Sequence, residues 1–383
     1  MIRYICALSA IGLATACSAN QAAPEIQPDG SVLSEDGYRL SLIAEGLEFP
    51  WALARLPDGS LLVTEREGRL RLITEDGLNP AAFSGLPDDI YVDGQGGLMG
   101  LTLDPDFADN NTVYISYAKD MGEMNTTAVI SATLALDEMR LDNVTEIFKG
   151  QDRDTRFHFG GRMAFLPDGT MVIGLGDALR YMDDAQDPSL LNGKTARIHP
   201  DGSLPDDNPF ADGRGHPAVY SYGHRNIQGL IYDSDRGILF SHEHGPKGGD
   251  ELNVVEPGLN YGWPEVTYGI NYDGTIISNE TTGPGFEDPA YNWVPSIAPS
   301  GMDLVTSPGF EDWAGDLLIG ALNGPRGRRI VRVDLDEGGA VLGTENLLVD
   351  LNYGYRDVLS TPEGIYLATQ DFDGRIFLMQ PAD

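Results

Sequence analysis

Short apolar stretches, bounded on both sides by Gly, Pro, Asp or Asn, recur along the chain, and between them no apolar period of 3.6 residues is sustained long enough to predict a long helix or a coiled coil. Six of these stretches echo one another. They begin at Trp51 (WALARLPDGSLLVTEREGRLRLI), Leu98 (LMGLTLDPDFADNNTVYISYA), Gly161 (GRMAFLPDGTMVIGLGD), Ile227 (IQGLIYDSDRGILFSHEHG), Ser300 (SGMDLVTSPGFEDWAGDLLIGALNG) and Arg356 (RDVLSTPEGIYLATQDFDGRIFLM). Each reads as an apolar strand, a turn built from Pro, Asp and Gly, and a second strand rich in β-branched or aromatic residues. One such unit, recurring every roughly fifty to seventy residues, cannot bury both faces of its own sheet, so copies must stack around an axis. The pattern predicts an all-β fold, a six-bladed β-propeller. YRLSLIAE at Tyr38–Glu45 is the spare strand expected to close the ring by joining the last blade, which leaves no open sheet edge. A pair of β-sandwiches is the competing all-β arrangement, but it has no reason to repeat six times.

Composition adds an export reading and removes one class of partner. Lys and Arg total 25 against 59 Asp and Glu, a formal charge of −34, which repels nucleic-acid phosphates and acidic lipid head groups. Neither nucleic acid nor polybasic membrane docking is expected. The first residues, MIRYICALSAIGLATACSANQAA, carry one Arg, an apolar run from Tyr4 to Leu13 and then small residues, the layout of an export signal too short to span a bilayer. Ala14, Thr15 and Ala16 before Cys17 resemble a lipoprotein box, with ordinary cleavage after an A-x-A as the alternative. The expected organisation is a signal peptide over 1–16, a flexible linker over 17–36 and the propeller over 37–383. The expected location is the periplasm or the outer membrane, with any membrane attachment made through a lipid on Cys17. Cys6 leaves with the signal, so the mature chain keeps at most one cysteine and no internal disulfide.

Loops at one end of a propeller channel converge, so polar residues at the repeat boundaries are the candidates for chemistry. His158 precedes the first strand of the third repeat and Asp177 follows its second strand, so a hairpin returns both to the same end. A carboxylate there is expected to orient the imidazole and favour its protonated form. Arg225 and Asn226 open the fourth repeat and Gln95 opens the second, types suited to a polar planar or polyhydroxylated ligand. The segment SHEHGPKGGDELN is the densest in potential ligands. His242 and His244 suggest zinc, but they are two apart rather than four, and Gly245, Pro246, Gly248 and Gly249 forbid the helix such a site needs. The remaining donors are oxygens, namely main-chain carbonyls and the carboxylates of Asp250 and Glu251, and these suit calcium.

HFGGR with GLGD, GHRNIQGL, HGPKGGDELN with NYGWP, PSIAPSGM and YRDV, in this order over about Phe49 to Met379, resemble the soluble quinoprotein family of glucose/sorbosone (aldose sugar) dehydrogenases. The resemblance implies a six-bladed propeller that binds pyrroloquinoline quinone (PQQ) and Ca2+ and oxidises the anomeric carbon of an aldose sugar to a lactone. It also implies a separate electron acceptor of unspecified kind. His158 then becomes the general base held by Asp177, and Arg225 stabilises developing oxyanion charge and contacts the cofactor. Gln95, Asn226, His244, Ser296, Asn323, Gly324 and Arg356 are implied as further cofactor contacts. The carbonyls of Gly245 and Pro246 are implied as ligands of the cofactor's calcium, and Glu251 with the carbonyl of Tyr261 as ligands of a second, structural calcium, joined by Tyr272 or Asp273.

The chain departs from the family where a tricarboxylate needs positive charge. Asn323 stands where a Lys is common and Gly354 where the first of two Arg is common, leaving Arg356. Arg326, Arg328 and Arg329, in the most basic patch of the chain, are the candidates to reach inward instead, with balancing of surface acid as their other reading. The departure keeps two alternatives open: a calcium-dependent, lactonase-like propeller hydrolase in which His158 activates water, and a non-catalytic sugar-binding lipoprotein of the cell envelope.

Overall fold

The computed structural model describes residues 27, 30–324 and 327–382. The expected signal peptide, Cys17 and Arg326 lie outside them. Six antiparallel sheets form the blades of a propeller. Their innermost strands are Pro50–Arg55, Leu98–Leu103, Gly160–Phe165, Ile227–Asp233, Pro299–Leu304 and Tyr355–Thr361, each beginning within one residue of the repeat starts read from the sequence. Among the described residues helix is confined to one turn at Phe107–Asn110 and two short 3-10 segments, and none is long and apolar enough to cross a membrane.

The ring closes as the hydrophobic pattern requires. Tyr38–Leu47, two residues longer than expected, pairs antiparallel with Gly374–Pro381, with Leu40 opposite Met379. The last blade is thereby completed by a strand from the beginning of the chain. Ser31–Leu33, within the stretch expected to be a linker, adds a fifth strand by pairing with Arg39–Ser41. The linker reading fails there because Val32 is apolar and finds a core to enter. Val32 and Leu40 are buried with Ile365, Leu367, Phe377 and Met379 in one cluster.

One irregularity recurs in all six blades and places the site. The pairing of each innermost strand with its neighbour slips near the strand's start, at Pro50/Ala52, Leu98/Leu101, Gly160/Met163, Ile227/Gly229, Pro299/Met302 and Tyr355/Asp357. A β-bulge puts one or more extra residues on one strand and re-aims their side chains. Here the residues inside the slips include Trp51, Met99, Arg162, Gln228 and Arg356. Four of these, Trp51, Met99, Gln228 and Arg356, line a cavity on the propeller axis.

Leu40 tests the closure. Truncating a fully buried Leu removes its transfer energy and leaves a void, about 2 to 5 kcal/mol, so Leu40→Ala is expected to lower the denaturation midpoint strongly without altering the denaturant slope. The same substitution at Leu342, 65% exposed on an outer strand, is expected to leave the midpoint nearly unchanged.

Candidate active site

His158 and Asp177 meet as the hairpin geometry requires. His158 Nδ1 lies 2.6 Å from Asp177 Oδ1. Both are buried, with 6% and 1% of their surface exposed. Three further hydrogen bonds fix the pair: the Leu179 N–H donates to Asp177 Oδ1 at 2.8 Å, Trp263 Nε1 donates to Asp177 Oδ2 at 2.8 Å, and the His158 N–H donates to Gln95 Oε1 at 2.8 Å. An ionised carboxylate only accepts, so Nδ1 carries the proton and Nε2 is left as the ring's basic lone pair. The backbone is held in an uncommon conformation to achieve this. His158, Ala178 and Leu179 have φ of 57°, 57° and 61°, in the left-handed region where strain concentrates at functional sites. Residue 176 must be glycine, since a Cβ there would lie 2.0 Å from the His158 carbonyl oxygen.

The electrostatics of the pair correct one expectation. Burial pushes the His158 imidazole below its usual range and the nearby Arg225 guanidinium adds to the effect, while Asp177 only partly offsets them. Asp177 therefore orients His158 without making the protonated form prevail. Burial alone would raise the Asp177 carboxyl, but the His158 hydrogen bond and the charges of His158 and Arg225 hold it below the ordinary value. The resting pair is a neutral imidazole beside a carboxylate, the state a general base requires.

The axial cavity, about 110 Å3, lies beside this pair and receives Gln95, Asn226, His244 and Arg356. The carbonyl ends of the two amides are already engaged: Gln95 accepts from His158, and Asn226 Oδ1 accepts the Gly160 N–H at 3.2 Å. Their NH2 groups are the donors that remain for a ligand. Arg356 lies with its guanidinium carbon 4.2 Å from the Trp51 ring centroid, a distance that Arg162 matches. Burial and the neighbouring Arg162 push Arg356 down to about 9, and its Nε has no acceptor. Its Nη2 donates to the neutral Gln228 Oε1 at 3.0 Å, so a buried guanidinium faces the cavity without a carboxylate in contact, an environment that suits an anionic ligand.

Six further expected residues, Gly245, Pro246, Tyr272, Ser296, Asn323 and Gly324, line a second cavity of about 420 Å3 that shares His244 with the first. Asp250 organises its floor. Its Oδ1 accepts the Gly245 N–H at 2.9 Å, and its Oδ2 accepts Ser296 Oγ at 2.7 Å and the N–H groups of Ile297 and Ala298 at 2.7 and 2.9 Å. The expectation of a free oxygen donor at Asp250 is therefore corrected: one oxygen is spent on the Gly-Pro turn and the other on the loop at 296–298. Arg225 Nη1 donates to the carbonyls of His244 and Gly245 at 2.9 and 2.8 Å and packs 5.2 Å from the Trp263 ring. It thus braces the turn from the side of the His158 pair. His244 Nε2 bonds to the Pro299 carbonyl at 2.7 Å, and burial pushes its imidazole down to about 3. His242 is separate, buried with both ring nitrogens unpartnered. Among the described residues no group of three or more His, Cys, Asp or Glu is placed to hold a metal, so zinc has no ligand set here and a hard cation would rely on main-chain oxygens.

Glu251 is buried, and its carboxyl is pushed well above the usual range by burial and by the nearby charges of Glu243 and Asp250. It faces Glu243 across neighbouring strands, and Glu243 in turn holds His224 at 2.9 Å, whose ring stacks 4.6 Å from Tyr261. Tyr261 is thus linked to Glu251 only through His224 and Glu243, whereas Tyr272 is 70% exposed at the rim of the second cavity. Ser221, His224 and Glu243 form a hydrogen-bonded chain like a hydrolase triad, but Ser221 and His224 are wholly buried, so no substrate reaches them. The inward cation expected from the basic patch is absent among the described residues. The Arg328 stem packs on Gly354 but its guanidinium turns to Asp371 at 3.6 Å, and Arg329 bonds to Gly327 and Asn346 at 2.6 and 2.5 Å. Sequence reasoning missed Trp51, Arg66, Gln228 and Gln370, which line the axial cavity, and gave Trp263 no role. The bulges that turn Trp51 and Gln228 inward leave no local sequence signal, but the Trp of NYGWP was a visible clue.

The family model described as Glucose / Sorbosone dehydrogenase matches residues 47–378. Aldose sugar dehydrogenase YliI of Escherichia coli is 37% identical over 351 residues, covering 89% of this chain and 92% of its own. A crystal structure of a glucose dehydrogenase superposes with a TM-score of 0.84 at 41% identity, covering 88% of this chain and 98% of that one. The PQQ-bound form of an aldose sugar dehydrogenase from Streptomyces coelicolor superposes with a TM-score of 0.74 at 29% identity, covering 94% and 99%.

The His158 imidazole is expected to titrate below 6.5 when its ring carbons are followed by NMR. Because Asp177 raises that value, Asp177→Asn is expected to lower it further. An upward movement in the variant would contradict the balance described above.

Proposed function

The chain belongs to the glucose/sorbosone dehydrogenase family, and from that premise we propose that it oxidises the anomeric carbon of an aldose sugar to a lactone, using pyrroloquinoline quinone and calcium. The observation that carries the reading is the 2.6 Å His158–Asp177 pair, neutral at its base and set beside a cavity lined by guanidinium groups and no carboxylate.

The residues present fit both groups. No Asp or Glu lines the axial cavity, Arg356 has an Nε without an acceptor, and Gln95 and Asn226 have free amide donors, as a planar ligand with several carboxylates requires. The Gly245 and Pro246 carbonyls, on a turn pinned by Asp250 and Arg225, suit calcium, and a carbonyl oxygen already bonded to Arg225 keeps a second lone pair for the ion. Glu251, buried near the charges of Glu243 and Asp250, is the expected anchor of a structural calcium, with the Tyr261 carbonyl and Tyr272 as its expected partners. When bound, calcium-held quinone supplies an electrophilic carbon able to accept a hydride.

The protein's own part is proton management and positioning. His158 takes the proton of the anomeric hydroxyl at Nε2 as that carbon is oxidised. Asp177, held by Trp263 and Leu179, fixes the tautomer and stabilises the imidazolium that forms, as a triad carboxylate does for its histidine. Arg225 lends positive charge to the same locality, lowering the cost of negative charge on the substrate oxygen. His244, with its imidazole far below the usual range, stays neutral and serves as a fixed wall between the two cavities.

His158→Ala is expected to bind the quinone in the presence of calcium but to lose at least about 1,000-fold in dye-coupled aldose oxidation. The wild-type apoprotein, given calcium and the quinone, is expected to show a bound-quinone absorption spectrum and to reduce dye with aldoses. No spectrum and no dye reduction from the reconstituted wild type would refute the proposal.

A further inference from the structure

The axial cavity contains a second guanidinium, and no motif marks it. Arg66 lies just after the second strand of the first blade, Leu61–Glu65, and lines the cavity with Arg356, Gln95 and Gln370. Its guanidinium carbon is 4.4 Å from the Phe49 ring centroid. Its polar contacts are weak. Nη1 is 3.4 Å from the Gly94 carbonyl, Nη2 is 3.3 Å from the half-buried Glu67 carboxylate, and Nε has no acceptor. Several other guanidiniums are paired closely: Arg55, Arg197, Arg236 and Arg332 each hold a carboxylate at 2.5 to 2.7 Å. With 59 acidic residues against 25 basic ones, leaving Arg66 and Arg356 short of strong acceptors on one cavity wall requires another use for them.

We propose that Arg66 is a carboxylate-binding residue of the ligand site, forming with Arg356 a two-guanidinium clamp on the anionic edge of a planar cofactor; this rests on the quinone-dependent reading above. Aromatic rings hold both groups in place. Phe49 carries Arg66 and Trp51 carries Arg356, so each planar fork is pre-organised and loses little freedom when it meets a carboxylate. Their mutual repulsion supports the assignment. The Arg66 charge is among those lowering the proton affinity of Arg356, and an anion between them removes that cost. The clamp also accounts for the cations missing from Asn323 and Gly354: the positive charge comes from the first blade and from Arg356 rather than from the basic loop after the fifth.

The test is equilibrium binding of PQQ to the calcium-loaded apoprotein, followed by quenching of tryptophan fluorescence. Losing one charge-assisted contact in a desolvated cavity is expected to raise the Kd of Arg66→Met by about 10- to 100-fold and to flatten its salt dependence. Arg66→Lys, which keeps the charge without the fork, is expected to fall between the two. Thermal unfolding in the absence of the quinone verifies that each variant is folded. Arg356→Met serves as the reference for a lost cavity guanidinium. If Arg356→Met weakens binding while Arg66→Met stays within about twofold of the wild type, Arg66 merely packs on Phe49 and the clamp is refuted, with the quinone reading intact. A wild-type protein that does not bind the quinone overturns both.

Discussion

The slip in pairing at the start of every innermost strand is the constraint on which the rest of this structure depends. A propeller packs its blades face to face, and regular strands would present only small or apolar side chains to an axis crowded from six directions. Each bulge frees one or two residues from the ladder, and in four of the blades a freed residue lines the axial cavity. Trp51, Gln228 and Arg356 occupy the cavity for this reason, and Arg162 reaches the Trp51 ring from the third blade. The site is therefore shared among blades, and its rigidity is that of six sheets closed into a ring by the strand at Tyr38–Leu47.

Within that frame burial decides charge. His158 has a carboxylate at 2.6 Å and still loses proton affinity, because desolvation and Arg225 outweigh the carboxylate. His244 is driven further in the same direction. Glu251 moves the opposite way because it is buried among other acids. One physical effect, removal of water from an ionisable group, thus lowers the proton affinity of two imidazoles and raises that of a buried carboxyl.

The Gly-Pro turn shows how such a site is kept in position. Asp250 accepts four hydrogen bonds from Gly245, Ser296, Ile297 and Ala298, so it joins the fourth blade to the loop that opens the fifth. Arg225 fastens the same turn from the opposite side through two carbonyls. A loop of three glycines and a proline would be mobile if isolated. Here the buried carboxylate and the guanidinium together fix the direction of its carbonyl oxygens.

The sequence by itself determined the architecture, because six copies of one strand-turn-strand pattern have a single economical way to bury their apolar faces, and the spare N-terminal strand completes it. It also determined that His158 and Asp177 share an end, since a hairpin of fixed length returns its start and finish to the same edge. That the Gly-Pro segment is a loop and not a helix was legible for a similar reason, in that glycine and proline exclude helix locally. Only the tertiary structure decided what depends on distance between segments remote in the chain. It showed that Asp250 is spent on the turn and on the loop at 296–298, that Arg328 leans on Gly354 yet turns to Asp371, and that Arg66 on Phe49 and Arg356 on Trp51 line one cavity. Whether His158 gains or loses a proton belongs to the same class, since spacing brings the carboxylate near but the surrounding low-dielectric packing sets the balance.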